Sequence, residues 1–327
     1  MSKVFNVGII GPGKIANRFA SCFQYVPQAK VYAIASRDAG KAKEFAKTYG
    51  ASKYYSSYEE LLKDPAVDLV YIATPHPFHF EQTLLCLKHG KPVLCEKPLA
   101  LNLKQVRQMT DMAKETNTFL MEGMWSRFFP AVHKTLDLIK SGVIGDIKAL
   151  HADFGFSGIP NPEGRLYNMK LGGGAQLDVG VYPMFFALLV LGKPDEIKAF
   201  SQLASTGADT TTHALLKYKS GATAHILSSI VTDSPKDGHI MGTLGRIILN
   251  TPWHKSEKVT VRLNSGEITE YAFPHSGNGF EYQLQEVVRC LEAGKKECDQ
   301  MPHSMSLLMA ETSDEIRRQG GVRYAED

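Results

Sequence analysis

One junction near the start of this chain narrows its fold more than any other feature. A short apolar run, Val4–Ile10, leads straight into Gly11-Pro12-Gly13-Lys14-Ile15-Ala16, and a helical pattern, Ile15–Phe23, follows. Glycines at the first two marked positions permit a tight turn and close approach of the backbone to a pyrophosphate. The small Ala16 lets helix and strand pack closely, and the helix end offers unpaired N–H groups to an anion. The next hundred residues keep the same grammar. Candidate strands lie at Val31–Ala35, Leu69–Ala73, Val93–Glu96 and Thr118–Glu122. Between them are helical patterns at Lys41–Tyr49, Tyr58–Lys63, Glu81–His89 and Lys104–Glu115. Alternating apolar strands and helices predict a doubly wound parallel sheet, a Rossmann domain over residues 1–124, with ligands at the carboxyl ends of the strands.

After Trp125 the pattern changes. A helix, Ala131–Ser141, precedes a strand at Ile147–Phe156, a loop rich in Gly, Pro and Asn, and a helix at Ala175–Leu191. Alternating runs follow at Glu196–Ala204, Thr210–Tyr218, Ala222–Val231, His239–Leu249, Val259–Leu263 and Ile268–Phe273. Short Gly-containing links such as Lys219-Ser220-Gly221 mark hairpins. Helices at Glu281–Ala293 and Ser304–Arg318 close the chain. Residues 125–327 are therefore expected to form an α+β domain: an open, mostly antiparallel sheet with helices on one face. The other face must be polar or covered. Because Ala222–Val231 is apolar on both faces, a homodimer through this sheet is expected.

The bulk numbers exclude some classes. Lys and Arg outnumber Asp and Glu by 37 to 34, too even a balance to hold nucleic acid or an anionic membrane. The longest apolar run, Phe185–Leu191, falls well short of the roughly 20 residues of a membrane helix. The chain reaches a strand-like run by Val4 with no apolar leader pattern, so no secretory leader is expected, and the five scattered cysteines show neither a CxxC pair nor metal-ligand spacing. Reduced thiols in a cytoplasmic protein are expected. His76 and His79 have no companion ligand cluster, so no metal is expected.

Cofactor choice is written at the end of the second strand. NAD-specific sites place an acid there for the ribose hydroxyls. Here the strand ends in Ser36-Arg37, with Lys41 a turn later and Asp38 one residue too far along. A hydroxyl and a guanidinium suit a 2′-phosphate, so NADP is expected over NAD. Lys97, at the end of another strand in Glu96-Lys97-Pro98, stands where this architecture binds ligands and could exchange a proton with a substrate oxygen during hydride transfer.

The ordered set of GxGxxA, Thr74-Pro75 with His79, and Gly90-Lys91-Pro92-Val93-Leu94-Cys95-Glu96-Lys97-Pro98-Leu99 resembles the glucose-fructose oxidoreductase/inositol dehydrogenase/rhizopine-catabolism family. The likeness is nearest to its dihydrodiol dehydrogenase and NADP-dependent D-xylose dehydrogenase branch. It extends through Trp125-Ser126-Arg127-Phe128, Gly172-Gly173-Gly174, Asp178–Tyr182 and the terminal segments. The resemblance implies that Lys97 and Tyr182 transfer protons, with Asp178 holding the substrate or orienting Lys97. It implies cofactor contacts from Gly11, Gly13, Lys14, Ile15, Ser36, Arg37, Lys41, Thr74, Pro75, His79, Glu96 and Lys97, and substrate contacts from Trp125 and Phe154. His79 is expected to line the cofactor cleft, and the Lys97–Pro98 bond to be cis. The implied substrate is a cyclic polyol, an aldose or a trans-dihydrodiol. Arg127 and Arg165 are the residues that would admit an anionic substrate instead. The family also contains a cofactor-binding regulator without turnover and a glycosidase branch. The former remains the alternative function; Ser36-Arg37 fits the latter poorly.

Overall fold

The computed structural model describes residues 3–327. The chain divides into two compact units, 1–100 with 104–125 and 276–306, and 101–103 with 126–275 and 307–327. The division is less simple than one cut near residue 124. A late helix, Phe280–Glu292, belongs with the first unit because its leading residue inserts among that unit's aromatics. Phe280 stacks on Trp125 (centroids 4.6 Å apart, 8° between planes) and meets Phe19 edge-on at 6.0 Å. Asn278 donates to Arg18 O at 2.7 Å.

In the first unit, β1 (Phe5–Ile10), α1 (Lys14–Ala20), β2 (Ala29–Ala35), α2 (Ala39–Tyr49), β3 (Lys53–Tyr55), α3 (Tyr58–Lys63), β4 (Leu69–Ile72), α4 (His79–Lys88), β5 (Val93–Glu96), α5 (Leu103–Glu115) and β6 (Leu120–Gly123) follow in turn. The strands are all parallel, in the order β3-β2-β1-β4-β5-β6. The order reverses between β1 and β4, which is where such sheets bind ligands. β4 and β5 are buried along their whole length, which is why they read as unbroken apolar runs. β3 was not expected: its three residues are mostly exposed and it lies at the sheet edge, too short and polar to stand out.

The second unit contains α6 (Pro130–Lys140), β7 (Ile147–Gly155), α7 (Val181–Leu191), β8 (Glu196–Leu203), β9 (Asp209–Lys217), β10 (Thr223–Ser229), β11 (Gly238–Gly242), β12 (Gly245–Leu249), β13 (Lys258–Leu263) and β14 (Ile268–Ala272). Its eight-stranded sheet runs β14-β13-β12-β11-β7-β10-β9-β8, with β7 and β10 parallel and every other pairing antiparallel. The single strand expected over His239–Leu249 is a hairpin. Gly242 packs where a Cβ would overlap Ile144 O, and the chain turns through Thr243 and Leu244 before Gly245. The late α8 (Phe280–Glu292) and α9 (His303–Gly320) complete the fold.

Met169–Leu191 is long enough, at a mean hydropathy of 1.6, to match a membrane span, which corrects the short estimate made from Phe185–Leu191 alone. Its window is 83% buried within the protein, so its apolar side chains serve the core. This segment is also not one regular helix. Gln176–Gly180 form a π-helical turn that passes into α7. Pro183 cannot donate to the carbonyl four residues back and its ring crowds that carbonyl; a widened turn relieves both conflicts.

Candidate active site

The first unit builds its part of the site mainly with main chain. β1 ends at Gly11, whose φ is +92°. A Cβ there would lie 2.8 Å from Thr74 Cγ2 and 3.2 Å from Ala73 O, so the loop after β1 and the loop after β4 touch through the missing side chain. Gly13 caps α1 in extended conformation without a side-chain partner for the helix end, and a Cβ on it would meet only Ala73 O, at 3.9 Å. Open space before bare helix N–H groups fits a dinucleotide pyrophosphate. Lys14 and Ile15 form the first turn behind it.

At the end of β2, Ser36 is buried and its hydroxyl accepts from Asp38 N at 3.1 Å. Asp38 in turn caps α2, accepting from Lys41 N at 3.1 Å, with the Lys41 ammonium 3.7 Å away. The one acid near this strand end is thus engaged as a helix cap. The Arg37 guanidinium lies over the Phe78 ring, 5.5 Å from its centroid, which leaves its edge available for planar anion recognition.

Lys97 is half-buried, and the Lys97–Pro98 bond is cis. Beneath it is a cluster that sequence reasoning did not assemble. Tyr71 Oη donates to Glu96 Oε1 at 2.5 Å. Glu122, on β6, accepts from Leu99 N at 3.0 Å. Burial pushes both carboxyls up, Glu122 to about 7, and burial followed by the Glu96 charge raises the Tyr71 hydroxyl. The residues lay in plain apolar strands, and only pairing of β4, β5 and β6 brings them together.

His79 corrects an expectation. It is fully buried, and its ring nitrogens lie 2.8 Å from Pro98 O and 2.8 Å from Thr74 O. Burial lowers its pKa while both carbonyls oppose the shift. Both nitrogens face backbone carbonyls, and a neutral ring donates to one of them at a time, so the ring packs between the Thr74-Pro75 loop and the Lys97–Pro98 turn rather than lining a cleft. Thr74 Oγ1 donates to Gln82 at 2.7 Å, and Pro75 opens the short turn His76–Phe78. Trp125 is buried against Phe280.

The second unit uses side chains. Asp178, in the π-turn, receives two bonds from Arg165, 2.7 and 3.2 Å long. Burial works against the Arg165 charge, and the Asp178 carboxylate overrides it and holds the guanidinium above its ordinary value. Tyr182 follows in the first turn of α7. Its ring packs 5.3 Å from Phe154 and 5.6 Å from His254, while His254 stacks on Phe154 at 4.2 Å and 19°. His254 and the Arg165 pairing were not foreseen; nothing in Pro252-Trp253-His254 or the Asn-rich loop signals a partner so distant in sequence.

Residues 5–124 match an oxidoreductase family with an NAD-binding Rossmann fold, and residues 132–248 match the GFO/IDH/MocA C-terminal domain. The chain is 37% identical over 332 residues to the trans-1,2-dihydrobenzene-1,2-diol dehydrogenase of Mus musculus, covering 98% of each protein. It is 38% identical over 334 residues to the enzyme of that name from Danio rerio, again covering 98% of each. Among solved structures it is similar to KijD10, a 3-ketoreductase from Actinomadura kijaniata crystallised with NADP and TDP-benzene. The TM-score is 0.88 at 27% identity, covering 97% of this chain and 98% of that one.

Proposed function

The chain belongs to the Gfo/Idh/MocA oxidoreductase family and is an NAD(P)-dependent dehydrogenase of CH–OH groups; from that premise we propose that it uses NADP in preference to NAD and acts on an uncharged cyclic diol or sugar. One observation carries the cofactor choice: Arg37 stands on Phe78 at the end of β2 while Asp38 is committed to capping α2. The bound cofactor supplies the hydride acceptor or donor. Lys97 and Tyr182 are assigned to moving the proton of the reacting hydroxyl, and Asp178, held by Arg165, to accepting a bond from a neighbouring hydroxyl. Because the Arg165 charge is matched by Asp178, it leaves no surplus cation for a phosphorylated substrate. Phe154 and Trp125 supply flat apolar surface suited to a ring. The dihydrodiol dehydrogenase relatives favour a trans-dihydrodiol among such substrates; D-xylose and related aldoses remain in the same chemical class.

A second reading, a cofactor-binding regulator without turnover, has no use for Lys97 and Tyr182. Cytoplasmic location and a homodimer joined through the open face of the eight-stranded sheet complete the proposal. They rest on five free thiols, all buried, and on Phe200 and Leu215, 76% and 55% exposed on that face. The deciding experiment compares NADP and NAD with a trans-dihydrodiol, D-xylose and a sugar phosphate, using native protein and Arg37→Ala. Loss of a charge-assisted phosphate contact costs about 1.5–3 kcal/mol, so the variant weakens NADP binding and spares NAD. Equal affinity of the native protein for both cofactors overturns the cofactor assignment, and activity confined to the sugar phosphate overturns the substrate class.

A further inference from the structure

All five cysteines are buried, but two of them differ in their surroundings from the rest. Burial raises the thiols of Cys22 and Cys86, and strongly that of Cys95. Cys290 and Cys298 instead lie together beside the Glu286 carboxylate, which Arg289 also contacts. The pair arises from the local fold. Glu286 and Cys290 are four apart on α8 and share a face. The loop after the helix folds back so that Cys298 pairs with Met301 in an isolated bridge. Cys298 Sγ comes to 3.2 Å and Cys290 Sγ to 3.8 Å from Glu286 Oε1, and the three ligand atoms lie within 4.8 Å of one another.

We propose that Glu286, Cys290 and Cys298 bind a single thiophilic divalent cation of the zinc type. A tetrahedral ion with bonds of about 2.3 Å to sulfur and 2.0–2.2 Å to oxygen separates its sulfur and oxygen ligands by about 3.5 Å. The two S···O distances, 3.2 and 3.8 Å, bracket that value. Arg289 borders the site, its Nη2 3.8 Å from Cys290 Sγ. It grips the carboxylate through both oxygens, Nε to Oε2 at 2.8 Å and Nη2 to Oε1 at 2.7 Å. Oε1 has a second lone pair, so the guanidinium orients the carboxylate as outer partners of metal ligands do. Charge also closes: Glu286 and Arg289 cancel before binding, and a divalent ion replacing two thiol protons, released to solvent, leaves that sum unchanged. Gln300, which also bonds Glu286, borders the cluster. Such an ion would pin the loop after α8 to the helix whose other end carries Phe280. The inference does not depend on the proposed substrate or cofactor preference.

The test titrates the full-length protein, kept reduced and freed of metal by a chelator, with cadmium(II) and with zinc(II) against a chromophoric chelator. The expected result is one ion per chain, with thiolate-to-cadmium charge-transfer absorption, and a higher melting temperature with zinc. Cys290→Ser and Cys298→Ser each remove the absorption, and Glu286→Gln weakens zinc binding about tenfold, while dehydrogenase activity of the folded variants stays near native. If a serine variant fails to fold, the proton count of native protein answers the same question, since an ion held by the Cys290 and Cys298 thiolates must release two protons on binding. Absence of the absorption, zinc binding that survives both serine substitutions, or zinc binding without proton release overturns the proposal.

Discussion

In the first unit, the groups assigned to function are held by main chain: the Gly11 turn, the bare end of α1, and the Lys97–Pro98 turn with His79 packed between the Pro98 and Thr74 carbonyls. In the second they are held by other side chains: Asp178 by Arg165, and Tyr182 by Phe154 and His254. Carboxyl groups show the same contrast. Glu96 and Glu122 sit in a dry interior where burial favours the protonated form, whereas Asp178 is paired with a guanidinium that is 46% exposed. A backbone-built site tolerates side-chain exchange around it and fails when the main chain is disturbed. A side-chain-built site can be loosened one contact at a time.

The largest effect expected from this contrast is at Lys97. Lys97→Met should lower turnover 10²–10⁴-fold, the usual contribution of a positioned proton-transfer group, and leave NADP binding nearly intact if the proposed main-chain cradle is what holds the cofactor. Cofactor fluorescence titration beside steady-state rates checks this; loss of binding together with rate would show that Lys97 is part of the cradle. Tyr182→Phe should lower turnover less and leave melting unchanged.

Next in size is the buried carboxyl. With its pKa raised to about 7, Glu122 is protonated in both folded and unfolded chains below the unfolded value near 4.3. As pH rises, the unfolded chain ionises first, so stability falls until the pH passes about 7. Glu122→Gln keeps a carbonyl for Leu99 N and removes the titration, so it should gain relative stability across that window, by up to about 4 kcal/mol. Denaturant melts of both proteins at pH 5 and pH 8 decide it. A difference independent of pH would mean that the carboxyl is not forced to ionise in the folded state.

Loosening the second unit should do less to the fold and more to the substrate. Arg165→Met should change stability by about 1 kcal/mol or less, since nearly half of the arginine side chain is exposed and solvent screens the pair, while raising KM more than it lowers kcat. A kcat loss matching that of Lys97→Met would erase the distinction between the units. The smallest effect on chemistry is expected at the open sheet face. Phe200→Glu should produce monomers in sedimentation with turnover unaltered; native protein that is already monomeric removes that interface.

Much of this was present in the sequence because it follows from local rules. A glycine turn at the end of an apolar strand, unbroken apolar runs alternating with helical patterns, and a strand end at Lys97 are each decided within a few residues, so the parallel sheet and the glycine turn after β1 could be read directly. The short hairpin at Thr243-Leu244 and the edge strand β3 escaped because their signals are weaker than the runs around them. Tertiary structure alone decided which side chains meet. Tyr71 reaches Glu96 across 25 residues, Phe154 reaches His254 across 100, and Cys298 returns to Glu286 through a loop with no motif. The reason is physical: backbone conformation is a local property of the residues that adopt it, whereas a buried ion pair, ring stack or thiol cluster depends on strand register and helix placement. Those are set by burial of the whole core, and no short stretch of sequence records them.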